Sequence, residues 1–472
     1  LEENTTGNNN TAVGNFALEA NTTASDNTAY GYAALLVNTE GFQNTALGSN
    51  SLRTNTTGDN NVAVGYGALY NQTTANDNTA CGRDALNDDT TGHSNVAVGA
   101  YSLDANTTAN SNTAVGYACL GANTTGYQNV AMGAYALDTN TTGENLVAIG
   151  YHALGSNTTN AGNTAVGAYA LEDNTSSNNT GIGYHALKEN TSGAQNTAFG
   201  SSALANNTTA DDNTAVGYAA LTANTTGYSL TACGHRTLAS NTTGYFNTAF
   251  GRVALDAVTT GTQNNALGYD AGGGITTGDN NTCIGHNAGN TVTTGSRNVF
   301  VGALTDTGST NSDSITIGYG IDSVGDNYFT FGKTAHRVYN QFTSNASWTR
   351  SSDVRLKKDI QTNTDLGLNF INDLRTVTYK WKAPSELDSS LSSYDASKTE
   401  ADHTNKMYGF IAQEVKQALD DHSVTDFAGW TEDNEGIQGI SYEMFVMPLV
   451  KAVQELSAEN AALKARLDAG GL

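Results

Sequence analysis

The strongest constraint on this chain is a period. From Asn10 onward a unit of the form Asn-Thr-Ala-x-Gly, x-x-Ala-Leu, Asn-Thr-Thr-Gly recurs, and its glycine falls at Gly14, Gly31, Gly48, Gly65, Gly82 and onward to Gly318. The step between glycines is seventeen throughout, except from Gly167 to Gly183 and from Gly302 to Gly318, where it is sixteen, and nineteen glycines stand in register. A repeated helical pair needs about 34 residues and several large apolar positions. This unit offers one regular Leu amid Asn, Thr and Gly. Segments such as Val62-Ala63-Val64 and Thr79-Ala80-Cys81 suit short strands, and the Gly, Asn and Asp clusters suit turns. The pattern predicts one β-solenoid coil per repeat, with two short strands and two turns. Stacked coils satisfy one another's backbone groups, so a thin core of Ala, Val and Leu suffices. At about 4.8 Å per coil the stack would be a rod on the order of 90 Å long.

Without that order the composition would point to low complexity. The 472 residues are 38% hydrophobic and 14% charged, with 51 Gly, 2 Pro and a net charge of -24. No run of about 18 apolar residues is present, which excludes a membrane-spanning helix. With 45 acidic against 21 basic residues and no basic stripe, the footprint of a nucleic-acid binder is missing. The chain begins at Leu1 rather than Met, as expected of a fragment or a processed product. The lack of a leader sequence therefore says nothing about secretion. Charge also divides the chain: residues 1–351 hold 9 Lys and Arg against 25 Asp and Glu, a sum of -16, and residues 352–472 hold 12 against 20, a sum of -8. Two materials meet near residue 350.

Within the repeats, the glycine is expected to need positive φ or close backbone approach. The Asn opening each unit is expected to stack on its equivalents as an amide ladder. Cys81 and Cys233 replace the residue before the glycine, Cys119 the Ala of Ala-Leu, and Cys283 the Ala two before the glycine. All four are expected as small buried thiols, with no metal and no cofactor. Tyr follows the glycine at Tyr32, Tyr66, Tyr117, Tyr151, Tyr184, Tyr218 and Tyr269. This series is expected to pack between coils or chains, with stacking on sugar rings as the alternative. Thr pairs such as Thr22-Thr23, Thr107-Thr108 and Thr124-Thr125 read as polar turns, with ice binding as a remote alternative. His152 and His185 share a position two coils apart, too far to form one site within a chain. Acidic pairs such as Asp88-Asp89 and Asp211-Asp212 have no shared register, and no coil is longer than the common period, which leaves no room for loop insertions. Paired catalytic carboxylates are not expected in the shaft. On these motifs residues 8–320 resemble the repeats of trimeric autotransporter adhesin heads and, more closely, the Asn-Thr-Ala-x-Gly arrays of phage tail-fibre proteins, a likeness that implies a shaft and no particular ligand.

The period fades into a β-rich connector, residues 319–351. Then comes Ser351-Ser352-Asp353-Val354-Arg355-Leu356-Lys357-Lys358, followed by Gly409-Phe410-Ile411-Ala412-Gln413-Glu414-Val415, and by Ile440-Ser441-Tyr442 through Pro448-Leu449-Val450 to Leu456. These three ordered blocks are similar to the C-terminal intramolecular chaperone autoprocessing domain of phage tailspikes and fibres, the endosialidase type, over residues 352–472. The resemblance implies a self-cleaving serine peptidase, acting once per chain, whose nucleophile lies five residues before a lysine. Ser352 and Lys357 meet that spacing; Ser351 with Lys357, and Ser352 with Lys358, do not. A serine hydroxyl needs a base, and a desolvated lysine serves as one. The cut would fall between Ser351 and Ser352, where attack by the Ser352 hydroxyl on the adjacent carbonyl is intramolecular. Asp353 and Arg355 are read as positioning residues.

The C-terminal segment 441–469 reads as a helix, with Val446, Leu449, Val453, Leu456, Leu463 and Leu467 at heptad a and d positions and Asn460 at an a position. Pro448 should kink it or delay its start. That pattern suits an oligomer; the number three comes from the resemblance. The expectation is thus a mainly β protein: a solenoid shaft over 1–318, the connector, and an α+β chaperone domain over 352–472. Its function would be that of a homotrimeric tail fibre, located in a virion tail or on an extracellular surface. Its partners would be other virion tail proteins and a host glycan or protein receptor. The alternatives are a non-cleaving surface filament and a glycan- or ice-binding solenoid.

Overall fold

The computed structural model describes residues 1–334, 336–342, 349–350, 354–389, 391, 393–401, 405–433 and 436–470, with only the backbone at 349, 350 and 355. Two compact units divide the chain, Leu1–Ser352 and Asp353–Leu472.

The first unit is the solenoid. Eighteen strands of three residues, β1 (Thr11–Val13) to β18 (Val299–Val301), each pair in parallel with the next coil. Equivalent residues face each other, Thr11 opposite Thr28 and Ala12 opposite Ala29. The shorter step keeps the same register, Thr164 opposite Thr180. Successive residues of a strand point to opposite faces, so the central one, usually Ala, is buried in every strand after the first and the flanking two face outward. β19 (Ile315–Tyr319) and β20 (Tyr328–Lys333) continue the stack in parallel, with Gly318 opposite Gly332. The connector thus begins as one further, shorter coil. β21 (His336–Gln341) then turns back antiparallel on β20, and β22 (Thr349–Arg350) pairs with β21.

Each coil holds one strand rather than the expected two. In place of a second strand, the Ala-Leu segment alternates left-handed residues: His152 and Leu154 have φ of 53° and 54°. Non-Gly residues pay about 1–2 kcal/mol for that conformation. Here it wraps the backbone around one completely buried Leu, whose burial offsets the strain by about 2 kcal/mol. Coil-to-coil hydrogen bonds continue through this segment, Leu154 N–H donating to the Ala170 carbonyl at 3.0 Å. The glycine after each strand meets both expectations. Gly150 has φ of 139°, and a Cβ there would lie 2.5 Å from the Gly167 carbonyl.

Two series of buried amides run along the shaft. The Asn opening each unit bridges coils through backbone: Asn44 N–H donates to Asn27 Oδ1 at 2.9 Å, and Asn27 Nδ2 donates to the Gly41 carbonyl at 2.9 Å. Most amide-to-amide bonds belong to the other Asn, that of Asn-Thr-Thr, while the opening series makes them in places, as from Asn281 to Asn264 and from Asn298 to Asn281. Asn38 Nδ2 donates to Asn21 Oδ1 at 3.2 Å and Asn55 Nδ2 to Asn38 Oδ1 at 2.8 Å. The opening Asn thus stacks on its equivalents as expected, mainly from backbone N–H to side-chain oxygen, and a second Asn series that spacing alone does not announce carries most of the amide-to-amide bonds. The first Thr of each pair adds a bond, Thr107 Oγ1 to the Thr124 carbonyl at 3.1 Å.

Strand alternation also corrects the cysteines. Cys119 and Cys283 are buried, but Cys81 is exposed and Cys233 half-buried, because the residue before the glycine faces outward.

The second unit is built around aromatic rings. Phe370, on α1 (Leu368–Asp373), is fully buried against Phe427 and Phe445. Hairpins β23 (Val377–Tyr379) with β24 (Met407–Gly409) and β25 (Trp430–Glu432) with β26 (Gln438–Ile440) accompany α2 (Ala412–Asp421). The last helix starts late, as Pro448 allowed: a 3-10 turn at Tyr442–Phe445 precedes α3 (Val446–Gly470). All six apolar heptad residues of α3 are exposed within the chain.

Candidate self-cleavage site and chaperone unit

Three of the site residues predicted from sequence, Ser351, Ser352 and Asp353, lie outside the described residues, and of Arg355 only the backbone is described. Lys357 is exposed and ends a 3-10 turn, Val354–Leu356, its N–H donating to the Val354 carbonyl at 3.1 Å. Around it the apolar Val354, Leu356 and Ile360 are 67%, 55% and 63% exposed.

The second and third blocks meet. Phe410 N–H donates to the Tyr442 hydroxyl at 3.0 Å, and the two rings stack with centroids 5.7 Å apart. Phe410 also lies against Phe445. The aromatic of the second block thus locks the turn that starts α3. Further along α3, Glu455 accepts from Leu368 N–H at 2.7 Å and ties the helix to the first turn of α1, which has no side-chain cap of its own. That backbone hydrogen bond, with Lys451 beside it, holds the Glu455 carboxyl below its ordinary range. Arg375 forks onto Glu414 of the second block, Nε to Oε2 at 3.0 Å, and this bond lowers the Glu414 carboxyl and raises the guanidinium. His422 Nε2 lies 2.8 Å from Asp373 Oδ2. None of these pairings had a sequence signal, since their partners are 32 to 87 residues apart. An open groove of about 900 Å³ runs beside this junction, lined by Arg375, Tyr379, Trp381, Phe410, Gln438 and Tyr442 among others. Lys357 does not line it.

In the shaft, the expected Tyr32, Tyr117, Tyr151, Tyr184, Tyr218 and Tyr269 each pack against a ring of a neighbouring coil. Tyr101, Tyr117, Tyr135, Tyr151, Tyr169 and Tyr184 form a run of edge-to-face contacts with centroids 5.4–6.3 Å apart. His152 and His185 are stacked into that run, on Tyr135 and Tyr184. Among the described residues no group of three His, Cys, Asp or Glu is placed to hold a metal, and no helix is long and apolar enough to cross a membrane.

Residues 352–424 match the family model described as chaperone of endosialidase, a peptidase family. The match takes in the first two blocks and stops before the third. No curated protein and no solved structure matches the chain. After a β-solenoid of about nineteen 17-residue turns the chain thus carries a segment similar to the chaperone of endosialidase, a make-up that fits a tail fibre with an intramolecular chaperone domain.

Proposed function

We propose that this is a tail-fibre-like structural protein of a phage virion, whose C-terminal unit gathers three copies and then cuts itself off between Ser351 and Ser352. The observation that carries the reading is a coincidence of boundaries. The family match begins at Ser352, and the compact units part between Ser352 and Asp353. The Ser352 Oγ attacks the Ser351 carbonyl carbon, Lys357 takes the hydroxyl proton and returns it to the departing amide nitrogen, and an ester replaces the peptide bond. Water then hydrolyses the ester, leaving a Ser351 carboxylate and Ser352 as a new N-terminus. Asp353 and Arg355 position this turn. Burial between chains favours a neutral amine, so the cut would wait for assembly. The exposed Val354, Leu356 and Ile360, and the bare heptad face of α3, supply apolar surface for it.

The purpose is kinetic. Coils this alike pair out of register at little cost. A C-terminal oligomer that forms first sets the register, and its removal leaves the rod behind a high unfolding barrier. Expression followed by denaturing electrophoresis and intact mass tests the reading. Wild type yields fragments ending at Ser351 and beginning at Ser352, while Ser352→Ala and Lys357→Ala remain whole. Wild type that stays intact after refolding overturns the cleavage and leaves a filament with an attached chaperone.

A further inference from the structure

The third residue of the shaft strands draws a stripe that a lone solenoid does not explain. It is apolar in all eighteen three-residue strands, as Val, Tyr, Leu, Cys, Met, Ile or Phe. Twelve of the eighteen are exposed and six half-buried; Tyr30, Phe199 and Leu267 are 60%, 55% and 54% exposed. None of the eighteen strands contains a charged residue, although the first 351 residues sum to -16. Apolar character is kept while size and shape vary, as for a contact face rather than a pocket for one ligand.

We infer that this stripe is where the shafts of separate copies lie against one another, parallel and in register, each chain completing its own coils. The inference rests on the multi-chain assembly proposed above and assigns its surface. Three observations choose a second copy as the occupant. Every coil is closed by hydrogen bonds to the next coil of the same chain, so no strand is owed to a partner. The stripe repeats once per coil over the length of the shaft, and another shaft has the same pitch over the same length. The twelve exposed side chains of the stripe amount to roughly 800 Å² per chain, what one side of a standard stable interface buries. Two rods of this acidity repel, and an uncharged stripe is the face on which they can touch. A flat array that orders ice would not scatter Phe, Tyr and Met among Val.

Cys81 and Cys233 stand in the stripe, whereas Cys119 and Cys283 are buried, which supplies native probes. The full chain is treated with a short bismaleimide, and linked peptides are identified by mass spectrometry beside native mass measurement. Expected are Cys81–Cys81 and Cys233–Cys233 links between copies, with Cys119 and Cys283 unlinked. Phe199→Glu combined with Leu267→Glu, both at exposed positions, should lower the yield of links at least tenfold while circular dichroism shows the solenoid intact. A multi-copy particle that gives no such links, or links Cys81 to Cys233, overturns this surface and leaves the assembly standing. A single-copy mass overturns both. Copy number unchanged by the double substitution, with retention on a glycan array or inhibition of ice recrystallisation lost, would give the stripe to a ligand instead.

Discussion

The two units solve the same problem with opposite materials. In the shaft the core is Ala and Leu, one layer deep, and its cohesion comes from contacts one period apart in sequence that are the same in nearly every coil. In the C-terminal unit the core is a cluster of Phe370, Phe427, Phe445 and their neighbours, held by pairings specific to one place. The shaft is a closed stack within one chain. The C-terminal unit leaves its longest helix with an uncovered apolar face. Repetition gives stability without telling one register between copies from another, whereas irregular packing specifies one arrangement. A molecule that needs both would place them in separate units.

The comparison can be broken most severely at the backbone. Gly150→Ala should cost more than about 3 kcal/mol, because a left-region φ and a 2.5 Å approach to the next coil combine there. Denaturant unfolding of the shaft checks this. In the other unit Phe370→Ala removes a fully buried ring and should cost about 3–5 kcal/mol. The expected signature is early loss of the near-ultraviolet aromatic signal, with strand signal from the shaft unchanged.

A finer test lies inside the shaft's own regularity. Asp89 occupies a ladder position between Gln72 and Asn106, sealed from solvent. Its Oδ1 accepts from Asn106 Nδ2 at 2.8 Å and from Gly92 N–H at 3.2 Å, while Oδ2 has no partner among the described residues. Burial, against the pull of those two bonds, pushes its carboxyl up to about 7. The folded shaft therefore holds this proton more tightly than the unfolded chain. Its stabilising share is complete below pH about 4 and is lost as pH rises through about 7. Asp89→Asn restores an amide donor. It should stabilise the shaft at pH 8 by on the order of 3 kcal/mol, with the two proteins converging near pH 4; a pH series of unfolding midpoints checks this. A smaller effect is expected at Asn140→Ala. This removes donation to Asn123 and Gly143 and leaves the Asn157 amide with only the Asn160 carbonyl of its two acceptors, at about 1–3 kcal/mol. Least of all, Gly155→Ala, where the nearest atom is 3.4 Å away, should change the unfolding free energy by less than about 0.5 kcal/mol.

Much of the shaft was legible because one fact, the period, is copied nineteen times. Strand positions, the special glycine and the buried Ala and Leu all follow from it. The second ladder did not, since two Asn series share the same spacing and only their reach decides how much of each pairs amide to amide. The outward turn of Cys81 and Cys233 was available from strand alternation, but reading the cysteines as small residues hid it. In the C-terminal unit the three blocks marked the right segments. The links between them, Phe410 to Tyr442 and Leu368 to Glu455, join residues far apart in sequence, with no periodicity to announce them. The cleavage residues Ser352 and Lys357 came from spacing and resemblance alone.

By itself, then, the sequence determined the length of the coil, its register and the place where repetition stops, because a period in residues becomes a period in space once each coil stacks on the last. The tertiary structure decided that each coil carries one strand, that the Leu turn is left-handed, and which amides run as a ladder. It also decided that one apolar stripe stays uncovered. Those outcomes depend on which groups in the neighbouring coil come within hydrogen-bonding or van der Waals reach, and no pattern along a single repeat contains that distance.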